Sequence, residues 1–289
     1  MLLRGRIAPT PSGYLHVGNA LSFVITWLWV RKADGKLRLR IDDRDTLRSK
    51  PEYIEDIFKT LEWMRIDWDE GPQTPDEQEH IYSQAGRGGR YDEVVTQLLN
   101  TGKVFACDCS RKIIQTHNCS CQGRSLPIDI PDTALRIVTP NVAIELRDSK
   151  RGLLEVNLNN KLKDFVIRRR DGITAYQLFS LTDDLDFGIN LIIRGGDLLS
   201  STAAQLYLAS LMGATSFAET TFYHHSLVND DLGLKLSKSA GSLSLKTMRE
   251  QGITPEEFYL KISTMVGLDH PCISLDEMLN HSKAIDFNL

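Results

Sequence analysis

The chain has 289 residues, 42% hydrophobic and 25% charged, with a net charge of −4 at pH 7. This is the composition of an ordinary globular protein with room for one large domain or two smaller ones. It excludes a bulk polycation that holds nucleic acid by charge alone, although a locally basic RNA-facing surface needs only a few Lys and Arg. No apolar run approaches the roughly 20 residues of a membrane span, and the most apolar stretch, ALSFVITWLWV, closes on Arg31 and Lys32. The amino terminus lacks the apolar core and small-residue cleavage site of a secretory signal, so a cytoplasmic location is expected.

Residues 3–8 (LRGRIA) predict a short strand, and Ala20 to Ala33 predict a helix apolar on nearly every face and therefore buried. Asp34-Gly35 turns the chain and residues 36–42 alternate as a strand does, which makes one βαβ unit and implies a parallel sheet. Helical spacing follows over 50–66 and 90–102. From Cys107 to about Asn160 short segments and prolines replace that rhythm, which predicts an inserted module. Residues 164–170 and 173–181 predict strands flanking the hairpin-type dipeptide Asp171-Gly172. A strand over 190–195, a helix over 201–213 and a mostly helical tail after Thr247 complete the chain. The expected division is a catalytic domain in two halves (1–105 and 164–232), an insert (106–163) and a lysine loop with a helical segment (233–289).

The first connection, RIAPTPSGYLHVGN, is longer than a plain strand-to-helix link requires. Pro9 and Pro11 fix the backbone, while Gly13 and Gly18 permit close approach. Gly18 and Asn19 open the buried helix, whose unpaired N–H groups form a ready anion site. His16 there can donate to a phosphate oxygen; taken alone, it equally reads as a helix cap or a gap filler. Within GLKLSKSAG, Lys235 and Lys238 suit a clamp on a triphosphate or, more blandly, a solvated basic turn. Four of the five cysteines lie within fifteen residues, as Cys107, Cys109, Cys119 and Cys121. Two Cys-x-Cys pairs can converge on tetrahedral Zn²⁺, with His117 as an alternative ligand, and free buried thiols are the other reading.

Together, PTPSGYLHVGN and KLSKS resemble the two ATP-binding motifs of class I aminoacyl-tRNA synthetases, usually written HIGH and KMSKS. RIAPTPSG, RIDDRD, DFVIRRRDGITAYQL, DDLDFGINLIIRGGDLL and KLSKS follow one another, from Arg6 to about Gly241, as in the glutamyl-tRNA synthetase catalytic domain. The resemblance implies an α/β fold: a Rossmann-type parallel-sheet nucleotide-binding domain, an inserted zinc-bearing module like an acceptor-binding one, and a short helical C-terminal segment. It places ATP at the topological switch point of the sheet. It implies His16 and Asn19 on the phosphates, Gly18 leaving room beside the adenine, and Asp197 on the nucleotide side, where a helix N-cap is the competing role. Lys235 and Lys238 would stabilise charge as a carboxylate attacks the α-phosphate, with Mg²⁺ neutralising pyrophosphate.

For a glutamate substrate, the resemblance implies Arg6 on the side-chain carboxylate, Arg194 as a second carboxylate contact and Tyr176 lining the pocket. Thr10 and Asp42 would take the α-ammonium. Two positions depart from the family: Asp42 stands where glutamyl enzymes usually show Glu and the glutaminyl branch often shows Asp, and Ser180 stands where Asn is common. Zinc in the insert would be structural. The chain stops about fifty residues after Ser239, which resembles the truncated branch of the family that lacks an anticodon reader. That branch attaches glutamate to the queuosine base at the wobble position of tRNA(Asp). ATP, L-glutamate and the queuosine-bearing anticodon stem-loop of tRNA(Asp) are then the expected partners of a monomeric enzyme that uses no protein nucleophile. A truncated enzyme charging the acceptor end, a ligase acting on a small molecule, and an inactive RNA-binding paralogue are the rivals. Arg168, Arg169 and Arg170 read as RNA phosphate contacts or as a solvated hairpin tip.

Overall fold

The computed structural model describes residues 2–116, 119–227 and 244–282. Strand Arg4–Ile7 (β1) passes through the proline-rich loop into Val17–Lys32 (α1), whose apolar residues, Trp27 and Trp29 among them, are buried on all sides. Arg31 and Lys32 close its last turn, where cations suit the dipole. Asp34 (φ +49°) and Gly35 then reverse the chain into Lys36–Leu39 (β2). Pro51–Trp63 (α2) begins on its proline, a residue the first helical turn tolerates. The short Pro75–Glu77 (α3) and the helix Gly88–Leu99 (α4) come next.

Val104–Cys107 (β3), Arg111–Thr116 (α5), Cys121–Arg124 (α6) and Ala134–Ile137 (β4) surround the cysteines. Ala143–Asp148 (β5) and Gly152–Asn157 (β6) form a hairpin, followed by Leu158–Lys161 (α7) and Phe165–Arg168 (β7). Tyr176–Asp186 (α8), Leu191–Gly195 (β8), Leu199–Leu211 (α9) and Thr221–His225 (β9) return to the nucleotide-binding pattern. Leu245–Glu250 (α10), Pro255–Val266 (α11) and Leu275–His281 (α12) end the described chain. Among the described residues no helix is long and apolar enough to cross a membrane.

The main sheet runs β2-β1-β8-β9-β5-β6 and is parallel except for the β5–β6 hairpin at one edge. A second, antiparallel sheet holds β3-β4-β7. Residues 106–163 are therefore not one layer: β4 belongs to the small sheet, and β5 and β6 extend the large one. Alternation along β8 marks the two faces, Leu191 and Ile193 joining the core of α1, α2, α11 and α12, and Ile192 joining that of α4, α8 and α9.

The strand expected over 173–181 is a helix. The Asp171-Gly172 turn does form, with Gly172 at φ +81° and Arg169 N donating to Ile173 O at 2.8 Å. The return arm, however, amounts to a single bridge between Arg168 and Thr174 before α8 begins. Residues 178–184 are then buried without a break, so neither a period of two nor one of 3.6 shows in the sequence. At Gly71 a φ of +105° and a Cβ position only 2.1 Å from Leu39 O leave no space for a side chain. Gly71→Ala is expected to cost about 1–3 kcal/mol or more, read as a lower urea midpoint; an unchanged midpoint would show that the loop relaxes freely.

Candidate active site

β1 is followed in sequence by β2 on one side and flanked by β8, then β9, on the other. The crevice outside the carboxyl ends of β1 and β8 is thus the switch point of the sheet, where open α/β folds bind ligands. A cavity of about 330 Å³ opens there, lined by Arg6, Ile7 and Ala8 from β1 and its exit, and by Ile193, Arg194, Gly195 and Asp197 from β8 and its exit. His16, Gly18 and Asn19 line the same cavity with Tyr176, the first residue of α8.

His16 is the N-cap of α1, so the cap reading and the cavity reading coincide in one residue. Its Nδ1 accepts from Gly18 N at 3.1 Å, and Asn19 Oδ1 accepts from His16 N at 3.1 Å, a reciprocal capping box. Since Nδ1 accepts, the neutral ring carries its proton on Nε2. The Gly18 Cβ position lies 3.0 Å from His16 Cε1 and Nδ1, so the glycine makes room for this imidazole first. Leu245 N donates to Leu15 O at 2.8 Å and Ser244 bridges His16, so the chain entering α10 packs on the same loop.

Behind the cavity lies a buried charge network. Arg6 Nε donates to Asp184 Oδ1 at 3.1 Å, and Arg40 Nη1 donates to the same oxygen at 2.7 Å. Arg194 Nη2 stands 3.8 Å from Asp184 Oδ2, while its Nη1 donates to Gln205 Oε1 at 2.7 Å and Thr202 Oγ1 at 3.0 Å. Arg194 is 3% exposed, yet its Nε and Nη2 have no hydrogen-bond partner among the described residues. Burial alone would lift the Asp184 carboxyl, but the charges of Arg6, Arg40 and Arg194 hold it below the usual carboxylate range. Arg40 is further matched by Asp42, so Arg6 and Arg194 share one carboxylate and present an excess of positive charge to the cavity. An anion is what such an arrangement recognises.

Thr10 and Asp42 do not line this cavity. Thr10 is exposed on the loop, and Asp42 is buried, its Oδ1 accepting from Arg40 Nε at 2.7 Å and Gln84 Nε2 at 3.1 Å. Ser180 Oγ accepts from Arg40 Nη2 at 3.1 Å, so both departures from the family pattern meet on Arg40. Burial outweighs the pull of Arg40 and pushes the Asp42 carboxyl up to about 6. The folded chain then keeps a proton that the unfolded chain has released, so this group makes stability fall as pH rises from about 4 to about 6. Asp42→Asn is expected to remove that slope. The unfolding free energy from urea titrations should move by about 2–3 kcal/mol in the variant's favour across the window, and a flat difference would mean that Arg40 keeps Asp42 ionised throughout.

The four cysteines of the insert converge as their spacing predicts. Their sulfurs all lie within 4.8 Å of one another, at 3.6 Å for Cys107–Cys119, 3.8 Å for Cys109–Cys119 and 3.4 Å for Cys109–Cys121. Four thiolates around one zinc, each about 2.3 Å from it, stand about 3.8 Å apart, so the set fits a tetrahedral metal. Burial first, and the neighbouring sulfurs next, push Cys109 up, and burial likewise raises Cys119; a cation is what would let them ionise together. Arg124 pairs with Asp108 at 2.8 Å and approaches Cys121 Sγ at 3.8 Å, a neighbour suited to a charged thiolate cluster. His117 lies outside the described residues.

The sequence matches the catalytic-domain family of class I tRNA synthetases (E and Q) over residues 2–127 and 131–285. The chain belongs to that family. It is 34% identical over 291 residues to Glutamyl-Q tRNA(Asp) synthetase of Nitratidesulfovibrio vulgaris, across 92% of this chain and 87% of that protein. It is similar in structure to glutamate-tRNA synthetase of Elizabethkingia anophelis (TM-score 0.78, 27% identity), covering 97% of this chain and 66% of that one. A glutamate tRNA ligase of Elizabethkingia meningosepticum in complex with its amino acid gives a TM-score of 0.75 at 25% identity, over 97% and 64% of the two chains. The chain spans just under two thirds of the length of these two solved enzymes. It is a class I synthetase of the ligase class with the α/β catalytic fold.

In this synthetase the lysines of KLSKS, Lys235 and Lys238, lie outside the described residues, between Leu227, which lines the cavity, and Ser244, which bridges His16. Asp197 lines the cavity and does not cap α9, whose N-cap is Leu198. Arg169 pairs with Asp45 and Asp171 at 2.6 Å each, and Arg170 Nη2 donates to Cys109 O at 2.8 Å. Sequence reasoning missed Ser22 and His225, which meet in the cavity wall at 2.8 Å, and Asp184, which anchors Arg6. Burial holds the His225 imidazole below its ordinary value, so its Nδ1–H donates to Ser226 O and Nε2 accepts from Ser22. The paired carboxylates of DDLD inside an apolar run were the one available signal for Asp184.

Proposed function

We propose that this synthetase activates L-glutamate with ATP and passes the glutamyl group to the queuosine base at the wobble position of tRNA(Asp). The observation that carries the first half is Arg194, buried in the cavity wall next to Arg6, with Nε and Nη2 making no hydrogen bond among the described residues and Nη2 only a 3.8 Å ion pair with Asp184. Two arginines sharing a single carboxylate suit a substrate with two carboxylates better than an amide. The N. vulgaris relative, whose name carries glutamyl-Q and tRNA(Asp), supports the second half.

In this reading Arg6 takes the side-chain carboxylate, Arg194 supplies the second carboxylate contact and Tyr176 closes the wall. The amides at the start of α1, His16 Nε2–H and the Asn19 amide face the phosphates, with Gly18 and Asp197 on the nucleotide side. An α-carboxylate oxygen attacks the α-phosphorus and pyrophosphate leaves; Lys235 and Lys238 would stabilise the developing charge, and Mg²⁺ carried with ATP would help to neutralise it. A ring hydroxyl of queuosine then attacks the acyl carbon and AMP departs, with no protein nucleophile. The α-ammonium role read for Thr10 and Asp42 is not part of the proposal, because neither lines the cavity. Zinc at Cys107, Cys109, Cys119 and Cys121 would hold the insert in shape, and the enzyme would work in the cytoplasm as a monomer.

The test incubates the enzyme with ATP, labelled glutamate and tRNA from cells that make or lack queuosine. Label is expected only on queuosine-bearing tRNA(Asp). Label on the queuosine-free pool would move the acceptor to the tRNA end, and pyrophosphate exchange with glutamine alone would overturn the choice of amino acid.

A further inference from the structure

Asp148, His224 and Thr202 are buried together behind Arg194 and none of them lines the cavity. Register places Arg194 of β8 directly beside His224 of β9, and Asp148 of β5 lies against the same strand. His224 Nδ1 stands 2.7 Å from Asp148 Oδ2, and His224 Nε2 stands 2.9 Å from Thr202 Oγ1. Thr202 Oγ1 in turn accepts from Arg194 Nη1 at 3.0 Å. A carboxylate only accepts, so Nδ1 carries the proton toward Asp148; Thr202 Oγ1 accepts from Arg194 Nη1, stands against His224 Nε2, and also donates to Leu198 O at 3.3 Å. Each group thus fixes the next.

Asp148 is itself immobilised by four donors: Lys150 N, Arg151 N and His224 N, each at 2.9 Å, and the His224 ring. Burial would raise its carboxyl, but the His224 hydrogen bond and charge, with those amides, hold it below the usual range. The two ends of the chain of bonds differ in kind. Asp148 is fully satisfied, whereas Arg194 has Nη1 occupied and Nε and Nη2 without a hydrogen-bond partner among the described residues, Nη2 standing 3.8 Å from Asp184.

We infer that Asp148, His224 and Thr202 are positioning residues for amino-acid selection: they lock Arg194 through Nη1 so that Nε and Nη2 meet a substrate carboxylate as a preset fork. A fork already fixed loses less entropy on binding and recognises a planar carboxylate with both nitrogens. The device makes the β5–β6 hairpin, drawn from the stretch between the two halves of the catalytic domain, part of the amino-acid site. The inference rests on the proposed contact between Arg194 and the amino acid.

The test measures glutamate-dependent pyrophosphate exchange for Thr202→Val, Thr202→Ser, Asp148→Asn and Arg194→Gln, with the ATP KM and thermal midpoint of each. Thr202→Val and Asp148→Asn are expected to raise the glutamate KM about tenfold, the scale of one hydrogen bond to a charged group. Their kcat and ATP KM should change less than about threefold, and Thr202→Ser, which keeps the hydroxyl, should restore the glutamate KM. If Arg194→Gln raises the glutamate KM and Thr202→Val or Asp148→Asn does not, the relay is overturned and the reading of Arg194 stands. If Arg194→Gln leaves it unchanged, both fall. Equal losses in glutamate and ATP KM, or no rescue by serine, would reduce these residues to ordinary core and overturn the inference.

Discussion

Replacing Arg6 by glutamine is expected to lower kcat/KM for glutamate in the activation step by about two to three orders of magnitude, with the ATP KM nearly unchanged. Arg6 is 4% exposed and its Nε is spent on Asp184, so the rest of the guanidinium is aimed by a buried ion pair and not by solvent. Truncating one partner of a desolvated, hydrogen-bonded charge pair costs about 2–5 kcal/mol, and a tenfold change corresponds to about 1.4 kcal/mol. The variant also leaves Asp184 with Arg40 and the more distant Arg194, so it should lose some stability as well. A loss below about tenfold in kcat/KM, with a normal melting profile, would place the glutamate side chain elsewhere in the cavity.

Metal removal is expected to have the second large effect, and a local one. The protein as purified should hold one zinc, and Cys121→Ser should lose it. Cys107 and Cys121 are nearly inaccessible, and the small cluster they form with Phe105 is joined, besides the other two sulfurs, only by the partly buried Ile114, Leu126 and Val138 among the described residues. Structural zinc sites supply on the order of 10–16 kcal/mol to small folds, so the stretch between β3 and β4 has little to hold it without the ion. Amide exchange should accelerate across residues 108–133 while β1, β2, β8 and β9 stay protected in the main sheet, and β3 and β4 stay tied to the second core through Ala106, Leu135 and Ile137. Full zinc occupancy in a Cys107→Ser, Cys121→Ser double variant would refute the ligand set.

The framework of the site is legible in the sequence where one signal dominates. α1 announces itself because an apolar run with basic residues at its end has few other uses, and four cysteines within fifteen residues favour convergence on a metal over free buried thiols. α8 is not legible. Tyr176, Phe179 and Thr182 favour a strand, and continuous burial from Leu178 to Asp184 erases the helical period. Arg6 and Arg194 were found through the family resemblance. Asp148, His224 and Thr202 had no signal at all, since a buried polar group in an ordinary strand or helix looks like any other polar residue until its partner, here 76 positions away for Asp148 and His224, is brought alongside.

The order of strands in the main sheet also governs how the protein can be made. β1 pairs with β2 nearby in the chain, but its other neighbour, β8, arrives 186 residues later, where Asn190 Oδ1 receives Arg4 N. Parallel pairing over such a distance gains nothing until a long loop has closed. A nascent chain released before residue 191 therefore presents β1 as an open edge beside the very apolar α1, the kind of surface on which unfinished chains aggregate. The cavity, walled by β1 on one side and β8 on the other, is among the last features of the molecule to come into being.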